Sequence, residues 1–299
     1  MRRLATKTLA AIDGAIKADQ GAAYRGWLAK VLPNIGDAYR TENEPFRSHL
    51  GASLLGRECA REIWYNFRWA YRSNFDGRMV RLFNRGHLEE GRFIAMLLTI
   101  GCEVYQQDEN GKQFRISFAE GHAGGSGDGI VVGLPDLPAG QAALCEFKTH
   151  NDKSFKELET KGVQEAKPEH YVQMNIYMYK MGIPVCLYLS VNKNTDALYG
   201  EIVTLEKEIA EQYIERGDKL VWMQEPPKRL SETPGFWKCK FCVFKQICHW
   251  QEEPDLNCRT CEYSEPRANG EWYCRYWNSN IPKENQLTGC TNYIRKENF

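Results

Sequence analysis

The chain has 299 residues, with 39 Lys plus Arg balanced by 39 Asp plus Glu and therefore no formal net charge. That length can bury a full core, and 42% hydrophobic with 26% charged residues excludes wholesale disorder. The charge balance excludes a histone-like polycation but leaves room for a local basic groove. Between Arg57 and Arg92 eight arginines stand against five acids, so one face there is expected to be basic. IAMLL (94–98) falls far short of the roughly 20 apolar residues of a spanning helix, so no membrane partner is expected and the protein reads as cytoplasmic.

In chain order, residues 1–31 read as helical up to Pro33, with Asp13 interrupting an apolar run that begins basic. Residues 39–49 read as a polar connector. Two helices are expected over about Gly51–Tyr71 and Met79–Ile100. The pattern then switches to strands at CEVYQQ, QFRISFAE, DGIVVG and AALCEF, separated by Gly and Pro. Residues 167–182 read as a helix with Pro168 at its first position and Gly182 beyond its end. Met174, Ile176, Met178 and Met181 on it read as core. PVCLYLSVN and LYGEIVTL are strands, and 206–224 is an amphipathic helix. From Pro226 the composition turns to Cys, Trp, Tyr, Pro and Asn, and such a segment needs metal to fold. The organisation expected is an N-terminal helical region (1–75), an α/β core with a central mixed sheet flanked by helices (76–225), a cysteine-cluster segment (226–252) and a four-cysteine, zinc-binding-like extension (253–299).

In AALCEFK, alternation places Ala143, Cys145 and Phe147 on one face and Glu146 and Lys148 on the other. If LPDLPAGQ joins two antiparallel strands, Asp128 comes beside Glu146 and Lys148. Adjacent carboxylates repel and are costly to bury, but they suit Mg²⁺ or Mn²⁺, which take oxygen ligands and accept a phosphate. A bare E-x-K is otherwise a solvent-facing ion pair on an edge strand. Gln173 and Tyr177 share a helix face four residues apart, and in NRGHLEEGRF Glu90 follows Gly86 by four, with His87 between.

This ordered set resembles the PD-(D/E)XK nuclease superfamily, in its RecB-like and phage lambda exonuclease branch, with a restriction-endonuclease-like core. GHLEE is similar to that branch's first motif, GDG to its metal-binding Asp, EFK to its catalytic E-x-K, and QMNIY to its Gln-x-x-x-Tyr. The resemblance implies that Asp128 and Glu146 bind the metal, with Glu90 a further or water-mediated ligand. It implies that Lys148 positions or activates the attacking water, and that Gln173 and Tyr177 orient the E-x-K strand or contact the DNA backbone. Some relatives, among them CRISPR-associated spacer-acquisition nucleases, use a histidine at the first motif, so His87 competes with Glu90. His49, His122, His150, His170 and His249 read as structural.

Seven of the eleven cysteines fall between 239 and 290. In WKCKFCVFKQICHW, Cys239, Cys242 and Cys248 form C-x2-C-x5-C, a bite for a soft metal. Nearby fourth ligands are His249 and Cys258. The resemblance to iron–sulfur RecB-like nucleases instead implies Cys59, closing a [4Fe-4S] cluster. Cys258, Cys261, Cys274 and Cys290 read as a structural zinc site with a hairpin between, its tight turn at ANG. Trp272, Tyr273, Tyr276 and Trp277 are expected to pack over those thiolates. Its role stays open between DNA contact, partner docking and stability. Cys102, Cys145 and Cys186 read as core thiols.

The function expected is a Mg²⁺- or Mn²⁺-dependent deoxyribonuclease. An exonuclease acting at DNA ends in phage or mobile-element recombination, beside a single-strand annealing or recombination protein, leads the readings. The alternatives are an endonuclease or spacer-trimming single-strand nuclease, and a non-catalytic DNA-binding adaptor. Oligomeric state is left open.

Overall fold

The computed structural model describes residues 2–42 and 46–299. Residues 43–45 of the expected connector 39–49 lie outside the described residues. The chain divides into two compact units, each discontinuous in sequence. The first is Met1–Glu42, Phe75–Ile116 and Ser126–Ala210; the second is Asn43–Asn74, Ser117–Gly125 and Glu211–Phe299.

In the first unit five strands form one mixed sheet. Their order is Glu103–Tyr105, Gly129–Val132, Ala142–His150, Val185–Asn192 and Leu198–Thr204. Neighbours run antiparallel except Ala142–His150 and Val185–Asn192, which are parallel. A parallel step needs a crossover, which is supplied by Asp152–Lys161, Val163–Ala166 and Pro168–Met181. Asn151 caps the first of these helices by accepting from Ser154 N at 2.9 Å. Gly182, at φ 69°, ends the last.

Alternation along the strands sorts the two faces of the sheet. Cys145, Phe147, Leu187, Leu189 and Val191 share one apolar cluster with Phe93, Ile94 and Leu97 of the long helix Gly77–Thr99. Phe93 stacks on Phe147 at 5.1 Å between ring centroids. Burying each such ring stabilises the fold by ~2–3 kcal/mol. Gly91 lets this helix approach closely, since a Cβ there would lie 3.0 Å from Leu32 and 3.1 Å from Ile35. The opposite face carries Glu146, Lys148 and His150, and the Pro168–Met181 helix covers it with buried Gln173, Met174 and Tyr177.

The central mixed sheet flanked by helices is the architecture expected, and the 128–147 hairpin has the expected pairing. Several boundaries differ. The N-terminal helical region is two helices, Thr6–Ala18 and Ala22–Val31, because Asp19 accepts from the amides of Gly21, Ala22 and Ala23 and Gly21 turns the chain at φ 79°. The path also continues through Pro33 as a 3-10 turn over Leu32–Asn34. The helix expected over Gly51–Tyr71 is Ala60–Phe67. Cys59 takes its N-cap, and Trp69 leaves it at φ 58°, where its indole donates to Arg47 O at 2.9 Å.

In the second unit the cysteine-rich tail shares a core with residues 46–74. Phe299 packs on Trp64 and Tyr65 at 5.2 and 5.5 Å, and Trp272 packs on Phe67 at 5.2 Å. Arg68 and Arg259, both buried, lie against the Trp272 ring at 5.0 and 4.6 Å. Ser264–Pro266 and Trp272–Cys274 form the expected antiparallel hairpin, with Asn269 and Gly270 at positive φ in its turn. Trp272 departs from its expected place over the thiolates because its ring fills this arginine-lined core. Among the described residues no helix is long and apolar enough to cross a membrane.

Candidate active site

Asp128 stands one residue before the Gly129–Val132 strand. Gly129 adopts φ 154°, and a Cβ there would lie 3.0 Å from the Tyr105 carbonyl oxygen, so the GDG sequence serves the backbone as well as the carboxylate. Gly129 pairs with Cys145, which brings Asp128 alongside the start of E-x-K. The Phe147 amide donates to Asp128 Oδ2 at 2.7 Å.

Glu146 is fully buried. Its Oε1 forms an ion pair with Lys148 Nζ, and Gln173 Nε2 donates to its Oε2 at 3.4 Å. Lys148, with 27% of its side chain exposed, also donates to Phe147 O at 3.2 Å. Burial, reinforced by Glu146, pushes the Asp128 carboxyl up to about 8, against the opposing pull of Lys148. Burial by itself would lower the Lys148 ammonium, but Glu146 and Asp128 outweigh it and hold the group above its usual range.

Glu90 and His87 come from the Gly77–Thr99 helix. They line a cleft of about 380 Å³ with Leu82, Phe83, Lys148 and Lys193. His87 Nδ1 lies 3.4 Å from Glu90 Oε1, and this contact raises the imidazole against the effect of burial. Glu89 is turned away, buried against Arg92 at 2.8 Å. Asp128, Glu146, Lys148, Glu90 and Gln173 are thus brought together, and Glu90 is near enough to Asp128 to raise it. Tyr177 is buried one turn beyond Gln173.

Sequence reasoning missed a polar group on the same sheet face. Tyr188 pairs in register with Glu146, and its hydroxyl meets His150 Nε2 at 2.8 Å and His170 Nδ1 at 3.1 Å. Burial, with Lys167 and Lys148 adding, lowers His150 to about 4; burial and Lys148 lower His170 to about 2. Both rings are neutral near pH 7 and act as hydrogen-bonding struts. The available signal was His150 sharing the alternation of Glu146 and Lys148. His122, in the second unit, is buried, its Nε2 at 2.7 Å from Arg267 O and its ring edge-on to Phe67.

Among the described residues no three His, Cys, Asp or Glu side chains are posed as a finished metal cage. The donor set nonetheless fits a hard cation. Three carboxyls (Asp128, Glu146, Glu90) face one ammonium, Glu146 is fully buried, and burial keeps Asp128 reluctant to ionise.

Eight of the eleven cysteines fall into two groups, Cys102, Cys145 and Cys186 are buried in the core, and none is in a disulfide. Burial raises Cys239, Cys242 and Cys248, and the Cys59 thiol adds to each, so these four are electrostatic neighbours. Cys59 Sγ also accepts from Glu62 N at 3.4 Å. Cys258 is pushed up to about 11 by burial, with Cys261, Cys290 and Cys274 contributing. All four line one cavity of about 260 Å³, with Tyr276 and Trp277 also in its wall.

No protein-family model matches this sequence, and no curated protein matches it. Solved structures with some likeness include the protein SSO0001, at 17% identity and TM-score 0.40, over 77% of this chain and 97% of that one. Another is LHK-Exo, an alkaline exonuclease from Laribacter hongkongensis, at 16% identity and TM-score 0.40, over 66% of this chain and 90% of that one. LHK-Exo in complex with dAMP gives 16% identity and TM-score 0.39 over the same shares. At that level of likeness the site rests on this chain's own geometry.

Proposed function

We propose that the protein is a divalent-metal-dependent deoxyribonuclease of the PD-(D/E)XK type, acting as an exonuclease on DNA ends. The observation that carries this is the convergence of Asp128, the Glu146–Lys148 pair and Gln173 beside a cleft lined by Glu90 and Lys193. A structural ion pair needs neither the second carboxyl nor the glutamine from a covering helix. The ordered sequence motifs support the same reading.

Asp128 and Glu146 would hold Mg²⁺ or Mn²⁺, with Glu90 as a further or water-mediated ligand and His87 behind it. When bound, such an ion supplies Lewis acidity toward a phosphoryl oxygen and a more acidic water. Lys148 orients the attacking water and offsets charge developing on phosphorus. Gln173 steadies the Glu146 carboxylate, and Tyr177, buried in the same helix, holds that helix against the strand. Lys193, and Arg85, which donates to Lys193 O at 3.1 Å, place positive charge for the DNA backbone.

The finer parts of this reading are proposals too. Cys59, Cys239, Cys242 and Cys248 hold a [4Fe-4S] cluster in the segment 226–252, and Cys258, Cys261, Cys274 and Cys290 hold a structural zinc in 253–299. The setting is phage or mobile-element recombination with a single-strand annealing partner. The test is digestion of matched linear and covalently closed circular DNA with Mg²⁺. Loss of the linear form with circles spared supports the exonuclease; cutting of circles moves the reading to an endonuclease.

A further inference from the structure

The second unit carries a surface that catalysis leaves unused. From Phe236 to Trp250 the sequence FWKCKFCVFKQICHW contains three lysines and no acidic residue. Cys242, Cys248, Phe244 and Ile247 turn inward, while Trp237 is 66% exposed, Phe241 80% and Trp250 52%. Soluble surfaces rarely present three large rings within fourteen residues unless something covers them. Each ring has an ammonium nearby: Lys238 at 5.0 Å from Trp237, Lys240 at 5.5 Å from Phe241 and Lys245 at 5.0 Å from Trp250. Lys238 also pairs with Glu58, whereas Lys240 and Lys245 have no ion pair among the described residues.

We propose that the exposed face of 237–250 is a binding platform for single-stranded DNA, with Trp237, Phe241 and Trp250 stacking on bases and Lys240 and Lys245 meeting phosphates. The pattern favours this occupant over an apolar protein partner. A dry protein interface is depleted of lysine at its centre. Alternating π-faces and unpaired ammonium groups match the alternation of bases and phosphates along an unpaired strand. A duplex hides its base faces and could use the lysines alone. The platform rests on the proposed function for the expectation that DNA is the polymer, and it is tested without turnover.

The experiment measures binding of fluorescein-labelled dT20 and of a blunt 20-base-pair duplex to the full chain, in buffer without added Mg²⁺ or Mn²⁺. Phe241→Ala, Trp250→Ala and Trp237→Ala should each weaken dT20 binding about fivefold or more, with little change for the duplex. Phe241→Trp should retain affinity, Phe241→Leu should lose as much as Phe241→Ala, and the exposed Val243→Ala should be neutral. Lys240→Gln should flatten the salt dependence by about 0.7 in log–log slope. The rings are largely exposed, so unchanged metal content, far-ultraviolet circular dichroism and urea-unfolding midpoint would certify the fold. Equal dT20 affinity for the triple aromatic variant and the wild type overturns the platform. So does retention by Phe241→Leu, or a change confined to self-association, both of which mark a protein-docking surface. None of these outcomes depends on hydrolysis, so loss of the platform and loss of the nuclease reading are separate results.

Discussion

Replacing Asp128 by Asn should stabilise the metal-free protein and abolish its response to divalent ions. The Asn carbonyl keeps the acceptor for Phe147 N, which lies 2.7 Å from Asp128 Oδ2, so the hairpin loses little. What is removed is a carboxyl raised from 3.8 to about 8, chiefly by burial and by Glu146. A group raised in this way contributes stability that is complete below its unfolded pKa and is lost as the pH climbs through its folded value. Four units at 1.36 kcal/mol each would cost on the order of 5 kcal/mol by pH 8. Asp128 is only part-buried, and solvent screening reduces this to ~2–3 kcal/mol. Urea unfolding in buffer without divalent ions should show no advantage for Asp128→Asn at pH 4 and an advantage of ~2–3 kcal/mol at pH 8. Added Mg²⁺ should stabilise the wild type and leave the variant unmoved. A variant that is destabilised throughout, or whose advantage is the same at pH 4 and pH 8, would show that the Asp128 carboxyl is not held protonated by its burial beside Glu146.

Other consequences follow from the same geometry. Gly129→Ala places a Cβ 3.0 Å from the Tyr105 carbonyl at φ 154°, and should cost ~1–3 kcal/mol in thermal or urea unfolding and lower nuclease activity with it. Gln173→Ala frees Glu146 Oε2 without removing a charge, and should lower kcat by about tenfold or more while KM for DNA stays near wild type. Anaerobic purification should yield a brown protein with iron and sulfide that Cys59→Ser loses; a colourless protein holding two zinc ions would contradict the cluster. Cys274→Ser should remove one equivalent of bound zinc by atomic absorption while leaving the iron in place.

How much was legible from sequence depends on whether the signal is local. The E-x-K strand declared itself because alternation over Ala143–Lys148 is a two-residue period, and the LPDLPAGQ turn fixed which strand lay beside it. Asp128 and Glu146 therefore meet as expected. Motif order put Gln173 and Glu90 in the candidate site; in the fold Gln173 contacts Glu146 and Glu90 lines the cleft beside Lys148. The Tyr188, His150 and His170 group escaped because its members come from two parallel strands and a helix, and parallel register is written nowhere in the local pattern. The helix expected over 51–71 was overextended because its aromatic run reads as helical periodicity. In the fold that run ends where Trp69 adopts a left-handed turn to reach Arg47 O. The tail from 226 looked coreless for a related reason: its partners, Trp64, Tyr65 and Phe67, lie about 200 residues earlier.

Lys148 and the carboxylates beside it are proposed to hydrolyse DNA with a divalent ion. The most direct measurement is digestion of end-labelled linear duplex with added Mn²⁺, comparing wild type with Lys148→Ala, together with unfolding curves for both. Mn²⁺-dependent release of label by the wild type is expected, with a loss of at least about a thousandfold in the variant and the fold intact. Equal digestion by the folded Lys148→Ala protein would contradict it, as would wild-type protein that binds the duplex and releases nothing.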